Sequence, residues 1–231
     1  MARIPKYERK MPPEDYLHNV PSYYGEKPLA WPVTEIVQDL IADARQAGFN
    51  APYFDVVSGF RTYEHQDRLF QKALKKYGSV SAARKWVAPP GKSAHNTGYT
   101  FDLYLGGPIK SEAVNQIRRD PAYKYMRDVL APKYNIAPYQ KEPWHWECDK
   151  NCRATYIMNK YGLDGELARQ IVDEEIIVPQ GNMLAYLEET QDDSRVTSGQ
   201  ATKKKIRKVL LATTLVGAVG FGTWVFLKRR G

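Results

Sequence analysis

The sequence predicts an α+β protein, because helical and strand patterns alternate without the regular strand–helix–strand rhythm of a parallel sheet. Apolar residues recur at helical spacing in four segments, 32–48, 63–76, 111–130 and 163–177, and a break is expected at Pro121 within the third. Three shorter segments have the β-rich or alternating pattern of strands, 53–57, 100–105 and 144–147. With 231 residues, the chain is long enough for one domain with additional segments.

The net charge of +8 does not predict a nucleic-acid partner, because the basic excess is confined to the C-terminal end. Eight of the 34 basic residues lie within 203–230, a stretch without acidic residues, and the other 26 equal the 26 acidic residues in number. This distribution favours contact with membrane phosphates over contact with a nucleic acid.

A transmembrane helix is predicted over 209–227. These 19 consecutive residues carry no charge and are mostly apolar, and at about 1.5 Å per residue they would just cross a hydrocarbon layer of roughly 30 Å. Basic clusters flank the segment on both sides. The alternative is a buried helix of the domain, but the segment has no polar face to support it.

The predicted organisation has five parts: an irregular N-terminal arm over 1–32, a folded domain over 33–189, a polar then basic linker over 190–208, the transmembrane helix over 209–227 and a basic end over 228–231. The chain is predicted to be anchored in a membrane through its C-terminal helix. The flanking basic clusters do not determine on which side of the membrane the domain lies. No secretory signal opens the sequence. The pattern does not predict an oligomeric state.

Two motifs contain residues that are suitable zinc ligands. His95 lies in a predicted loop, Asp102 follows on a predicted strand, and the second motif supplies Glu142 and His145. Two imidazoles and one carboxylate leave a fourth tetrahedral position open for water, which is typical of a catalytic zinc site. Each residue also has an ordinary structural explanation, such as a solvated loop histidine, and only the combination favours a metal.

Arg61 follows a tight turn, Ser58-Gly59, at the end of an apolar strand, a position from which a permanent cation can point into a cleft. A surface salt bridge is the alternative. A rival metal site composed of His145, Cys148 and Cys152 is also conceivable, but it lacks the second closely spaced pair of a zinc finger and would take His145 from the first site. The two cysteines form either a local disulfide or two free thiols.

Taken in order, the motifs Ser-Gly-Phe-Arg-Thr, Ser-x-His-x-x-Gly-x-x-x-Asp and Glu-x-Trp-His resemble the zinc D-alanyl-D-alanine carboxypeptidases of the VanY kind. That family shares its fold with Hedgehog signalling domains and some phage endolysins. The resemblance runs from about 56 to 147 and implies a small antiparallel sheet flanked by helices, with 33–189 as the zinc peptidase domain.

The resemblance also implies roles for individual residues. His95, Asp102 and His145 would bind Zn²⁺, and Glu142 would be the general base. Arg61 would face the substrate and stabilise the negatively charged tetrahedral intermediate of the reaction. Ser93 matches a substrate-contacting position. Thr100 stands where the family usually has alanine, which places the shape of the pocket in doubt.

The function that this resemblance implies is removal of the terminal D-alanine from peptidoglycan stem peptides by a zinc-activated water, with an extracytoplasmic location if the substrate is the cell wall. One alternative is an L-alanyl-D-glutamate endopeptidase of the phage endolysin type, and a phage origin stays open. A second alternative is a non-catalytic binding or virion component on the same fold.

Overall fold

A four-stranded antiparallel sheet lies at the centre of the computed structural model, which describes residues 3–5 and 9–175. The strands are β1 (Leu17–Val20), β2 (Lys27–Ala30), β3 (Phe54–Ser58), β4 (Thr100–Leu105), β5 (Ala137–Tyr139) and β6 (Glu142–Glu147). The central sheet has the order β3-β4-β6-β5, and β1 and β2 form a separate antiparallel hairpin. This arrangement confirms the predicted α+β class and the antiparallel sheet.

Helices flank the sheet. They are α1 (Val33–Gln46), α2 (Tyr63–Tyr77), α3 (Val80–Ala83), α4 (Val114–Arg119), α5 (Pro121–Tyr125), α6 (Ala131–Lys133), α7 (Lys150–Tyr161) and α8 (Gly165–Asp173). A short π-helical stretch, Met126–Leu130, joins α5 to α6, and within the described part of the chain three single turns are 3₁₀-helical: Glu14–Tyr16, Ala94–Thr97 and Ser111–Ala113.

Strand β4 separates the hydrophobic core from the polar site by simple alternation. Phe101, Leu103 and Leu105 are fully buried in the main core. Because successive side chains of a strand point to opposite faces, Asp102 lies on the other face of the sheet. The core is therefore on one side of β4, and the side chains of chemical interest are on the other.

Helix α1 covers the core with one continuous apolar face. The members of that face recur at helical spacing and are all buried: Val33, Ile36, Val37, Leu40, Ile41 and Ala44. The predicted helix at this position is confirmed, as are the strand at 100–105 and the helix that begins at Tyr63.

The predicted helical segment at 111–130 is interrupted at Pro121, as expected. Asp120 ends α4 and caps α5, accepting a hydrogen bond from the backbone N–H of Ala122 at 2.8 Å. Proline is tolerated at this first helical position because its missing N–H has no partner there in any helix.

Helix α7 and strand β5 were not expected from the sequence. Helix α7 begins where Asp149 accepts a hydrogen bond from the N–H of Cys152 and ends at Gly162, which adopts positive φ. Polar residues interrupt its buried face, which weakens the periodic signal on which a prediction depends.

The N-terminal segment also differs from the expected irregular arm, because it contains the β1–β2 hairpin. This hairpin packs on the turn after β3, where Phe60 donates a backbone hydrogen bond to Pro28 at 2.7 Å. The predicted domain boundaries themselves stay a prediction.

The structure does not support the predicted C-terminal transmembrane helix, nor the membrane-anchored localisation and the membrane partner that depended on it. Within 3–5 and 9–175, no helix is both long and apolar enough to cross a bilayer. The longest of these helices, α2, has 15 residues, which at about 1.5 Å each is shorter than a hydrocarbon layer of roughly 30 Å. The segments predicted as linker, membrane span and basic end, 190–208, 209–227 and 228–231, lie outside the described residues.

Gly59 is required by the close approach of the hairpin to the site, because an added Cβ would overlap the carbonyl oxygen of Pro28. We expect Gly59→Ala to lower the free energy of unfolding by about 1–3 kcal/mol, the usual cost of overpacking. Urea denaturation of the full chain measures this change.

The matched control is Gly165→Ala at the start of α8, where a Cβ would make ordinary contact with Met158 at 3.6 Å. Its free energy of unfolding is expected to stay unchanged or to rise slightly. Equal stability of the two variants would show that the contact of Gly59 with Pro28 does not constrain the fold.

Candidate metal centre and its cleft

The pairing of β4 with β6 brings together Asp102 and His145, which are 43 residues apart in the chain. The two residues are direct partners in the antiparallel register. Both side chains therefore project from the same face of the sheet, and the His145 Nδ1 atom lies 3.1 Å from Asp102 Oδ1.

His95 reaches this position from the 3₁₀ turn Ala94–Thr97. Its Nδ1–H donates to the backbone carbonyl of Gly59 at 2.7 Å, which leaves Nε2 unprotonated in the neutral ring. Nε2 lies 3.3 Å from Asp102 Oδ1. The backbone oxygen of Gly59 thus selects the tautomer in which His95 presents a lone pair to the carboxylate side of the site.

The donor atoms of His95, Asp102 and His145 all lie within 4.8 Å of one another. The three residues are only 3%, 5% and 7% exposed. Two imidazole nitrogens and one carboxylate oxygen fit Zn²⁺, and among the described residues no fourth histidine, cysteine or acidic residue joins the group. The arrangement therefore leaves one coordination position for a water or a substrate.

The charges of the three groups are set by burial and by one another. Burial disfavours the Asp102 carboxylate, but His95 and His145 outweigh it and hold the pKa of Asp102 below its ordinary value. Burial lowers the pKa of His95. For His145 burial acts in the same direction, yet hydrogen bonds to Asp102 and Glu147 raise its pKa to about 9. A metal ion must therefore displace a proton from His145 at neutral pH, so metal affinity increases with pH.

Arg61 contacts a metal-binding candidate directly. Its Nη2 donates to Asp102 Oδ2 at 2.9 Å and to Ser58 Oγ at 2.8 Å. One oxygen of Asp102 is thereby held by the guanidinium, and the other faces the two imidazoles. The side chain of Arg61 remains 21% exposed and lines the cleft. Arg61 thus forms an ion pair with a buried carboxylate and also borders the cleft.

Glu142 lies beside the site because β6 is irregular. Pro138 pairs with Trp146, but the next residue, Tyr139, pairs with Glu142, so β6 bulges between them. Strict alternation would have placed Glu142 and His145 on opposite faces. With the bulge, Glu142 Oε2 lies 3.9 Å from His145 Nδ1, and burial raises the pKa of the Glu142 carboxyl.

The site opens into a cleft of about 750 Å³. Ser93 lines this cleft together with Arg61, Glu142 and the three metal-binding candidates. Thr100 is fully buried and is not among the lining residues, so the shape of the cleft does not depend on it directly.

The rival metal set is ruled out in the structure. Cys148 and Cys152 are joined in a disulfide, with their Cα atoms 5.2 Å apart, so neither sulfur is a free thiolate ligand.

Glu147 is a residue of the site that the sequence analysis missed. It is fully buried, and its Oε1 lies 3.2 Å from His145 Nε2, the ring nitrogen that does not face Asp102. Residues two apart on a strand share a face, so the pattern His-x-Glu within the predicted strand 144–147 already contained the signal. A carboxylate in this position orients a metal-binding imidazole.

The N-terminal segment holds Glu147 in turn. The Arg3 Nε donates to Glu147 Oε1 at 2.9 Å, and the backbone N–H of Ile4 donates to Glu147 Oε2 at 2.8 Å. Burial opposes ionisation, but the contacts with His145 and Arg3 outweigh it and hold the pKa of Glu147 at about 2. Glu147 is thus a carboxylate at neutral pH, ready to accept the His145 hydrogen bond.

We expect Glu147→Gln to weaken zinc binding by roughly 10- to 100-fold, because the His145 ring loses the charged partner that orients it. Competition with a chromophoric chelator measures the affinity on the full chain, and circular dichroism checks that the fold is retained. Glu14→Gln removes the same charge from an exposed position and serves as control. Wild-type zinc affinity in Glu147→Gln would mean that Glu147 does not position His145.

Comparison with known proteins relates this geometry to a family. The family model described as "VanY: D-alanyl-D-alanine carboxypeptidase" matches residues 27–148, more than half of the chain. The D-alanyl-D-alanine carboxypeptidase of Enterococcus faecalis is 32% identical over 127 residues, which are 49% of this chain and 46% of the relative. The bifunctional D-Ala-D-Ala dipeptidase and D-Ala-D-Ala carboxypeptidase of Enterococcus gallinarum is 28% identical over 102 residues, 39% of this chain and 53% of the relative.

The chain thus spans about half the length of the curated relatives it matches. Among solved structures, that of the LdcB LD-carboxypeptidase is matched over 78% of this chain and 80% of that chain, with 21% identity and a TM-score of 0.49.

Proposed function

Because the chain belongs to the VanY family of D-alanyl-D-alanine carboxypeptidases, we propose that it is a zinc peptidase that removes the terminal D-alanine from peptidoglycan stem peptides. The observation that carries the proposal is the buried cluster of His95, Asp102 and His145 at the base of a cleft, with Glu142 beside it. All four residues lie within the segment that the family model matches.

In this proposal, His95, Asp102 and His145 would hold the zinc ion. When bound, zinc supplies a Lewis acid that lowers the pKa of water and polarises a peptide carbonyl. The protein prepares the donors in advance, because Gly59 fixes the His95 ring, Glu147 contacts the His145 ring, and Arg61 holds the second oxygen of Asp102.

Glu142 is the proposed general base. Its carboxylate borders the metal position, is not engaged by an ion pair to lysine or arginine among the described residues, and has a pKa that burial raises. A carboxylate with a raised pKa takes a proton from the attacking water more readily and can return it to the leaving amino group. The carboxyl oxygens of Glu142 therefore carry the proton from one side of the scissile bond to the other.

Arg61 and Ser93 are the proposed substrate contacts. The guanidinium of Arg61 is a permanent charge on the cleft wall, and it would favour the negative charge that develops on the carbonyl oxygen during attack. Ser93 lies on the same wall, directly before the turn that carries His95, where its hydroxyl can contact the peptide.

We expect Glu142→Gln to bind zinc as the wild type does and to lose about 10²- to 10⁴-fold in kcat, since only the proton transfer is removed. Zinc content is measured by elemental analysis, and turnover by release of D-alanine from a stem pentapeptide. Glu14→Gln, which changes an exposed carboxylate, is expected to keep full activity. Near-wild-type kcat in Glu142→Gln would remove this residue from the mechanism.

The bond that is cut can be read directly from the products. We expect the zinc-loaded full chain to convert a muropeptide that carries a pentapeptide into the form shorter by one alanine, as judged by mass spectrometry. Release of the whole stem would instead identify an L-alanyl-D-glutamate endopeptidase. Intact muropeptide in the presence of stoichiometric zinc would identify a non-catalytic protein on the same fold.

A further inference from the structure

The cleft extends well beyond the metal-binding residues. From His95 and Glu142 it continues along α2 and the segment 84–88, and its volume of about 750 Å³ exceeds what a terminal dipeptide needs. We call this extension the basic arm, after the four side chains that line it: Lys72, Lys76, Arg84 and Lys85.

The basic arm carries four positive charges that no described ion pair neutralises, although Lys76 interacts electrostatically with the exposed carboxylate of Glu112. All four side chains lie on exposed residues, and none forms an ion pair with a described carboxylate. Among the described residues, the cleft lining contains two acidic ones, Asp102 and Glu142, and both belong to the proposed reaction site. A cleft lined by one sign of charge focuses the field and attracts ligands of the opposite sign.

The helix dipole favours Lys76, which lies in the last turn of α2, but it does not determine which face of the helix carries the charge. Lys72 and Lys76 are four residues apart on α2 and therefore share one face, where like charges destabilise a helix. Ala73 and Leu69 of the same helix also line the cleft. The two lysines thus lie on the face of α2 that borders the cleft.

An aromatic pair adjoins these charges. The rings of Tyr77 and Trp86 stack with centroids 5.7 Å apart and an interplanar angle of 15°, and Trp86 remains 55% exposed. Both residues line the cleft. A flat apolar surface beside four cations suits an extended chain that carries both aliphatic and anionic groups.

We propose that the basic arm binds carboxylates of the substrate on the N-terminal side of the scissile bond, so that the enzyme prefers acidic stem peptides to amidated ones. This inference rests on the proposed function. A carboxypeptidase releases one residue and keeps the longer part of its substrate in the cleft, and that part carries the free α-carboxylate of a γ-linked D-glutamate. Binding energy from such a remote group also positions the scissile bond.

The test compares two peptides that differ by one charge, L-Ala-γ-D-Glu-L-Lys-D-Ala-D-Ala and its counterpart with the glutamyl α-carboxylate amidated. We expect the full-length zinc-loaded protein to show a kcat/KM about threefold to tenfold higher for the acidic peptide, as several exposed ion pairs together provide. The preference is expected to vanish at 1 M salt, where the screening length falls to about 3 Å.

The double variant Lys72→Gln/Lys76→Gln is expected to lose this preference. Lys75→Gln is the matched control, since Lys75 is exposed on the same helix but does not line the cleft. N-acetyl-D-Ala-D-Ala is too short to extend along the arm, and its hydrolysis is expected to be unaffected by the double variant. Equal losses on the short and the long substrates would mean that the lysines do not act on the N-terminal part, which overturns the inference.

Binding separates failure of the inference from failure of the proposed function. The affinities of both peptides for zinc-loaded Glu142→Gln are measured by calorimetry, which needs no turnover. Equal affinities for the acidic and the amidated peptide overturn the inference, whatever the activity. A preference that disappears in Glu142→Gln/Lys72→Gln/Lys76→Gln supports it, even if the wild type were to release no D-alanine and the proposed function were to fail.

Discussion

The site depends on the carboxylate of Asp102, which is buried on the central strand β4 and shared among three partners. Its Oδ1 faces the rings of His95 and His145, and its Oδ2 accepts from Arg61. An ionised carboxylate is costly to bury unless charges and hydrogen bonds compensate it. The compensation fixes the distances between segments of the chain that are far apart in sequence, and it leaves the two imidazoles converging on one point.

Backbone hydrogen bonds make this convergence rigid. Arg61 donates its backbone N–H to the carbonyl of His95 at 3.0 Å, and Asn96 donates its side-chain amide to the carbonyl of Arg61 at 2.7 Å. These two hydrogen bonds join the turn after β3 to the turn before β4, which carries His95. Gly59 accepts from that ring and also packs against the hairpin, so the fold outside the sheet supports the metal position.

Two different kinds of charge meet in the cleft. At its base, buried acidic and imidazole groups are paired with one another, which suits a cation. Along the arm, exposed lysine and arginine side chains form no ion pair with a described carboxylate, which suits an anion. A zinc peptidase that acts on an acidic peptide would use both, the first to react with the terminal bond and the second to retain the remainder of the chain.

The N-terminal segment contributes to the site although it is distant in sequence. Arg3 and Ile4 close over Glu147, which contacts the His145 ring. This connection was not predictable, since nothing in the local sequence of the first residues indicates which buried acid they will meet. The bulge that turns Glu142 toward His145 became clear only from the pairing of β5 with β6.

The sequence by itself determined the α+β class, the positions of α1 and β4 and the break at Pro121. It also identified the residues that meet around the metal position. Periodicity, proline chemistry and metal-ligand types are local properties, so they can be read from the sequence. It also led to a membrane span, which no helix within 3–5 and 9–175 provides. Only the tertiary structure showed that Arg61 pairs with Asp102 and also lines the cleft, and that Glu147 contacts the His145 ring. It alone also showed that α2 and the segment 84–88 place four cations beside the site. Those relations depend on strand register and on contacts between distant segments, which single-sequence patterns do not encode.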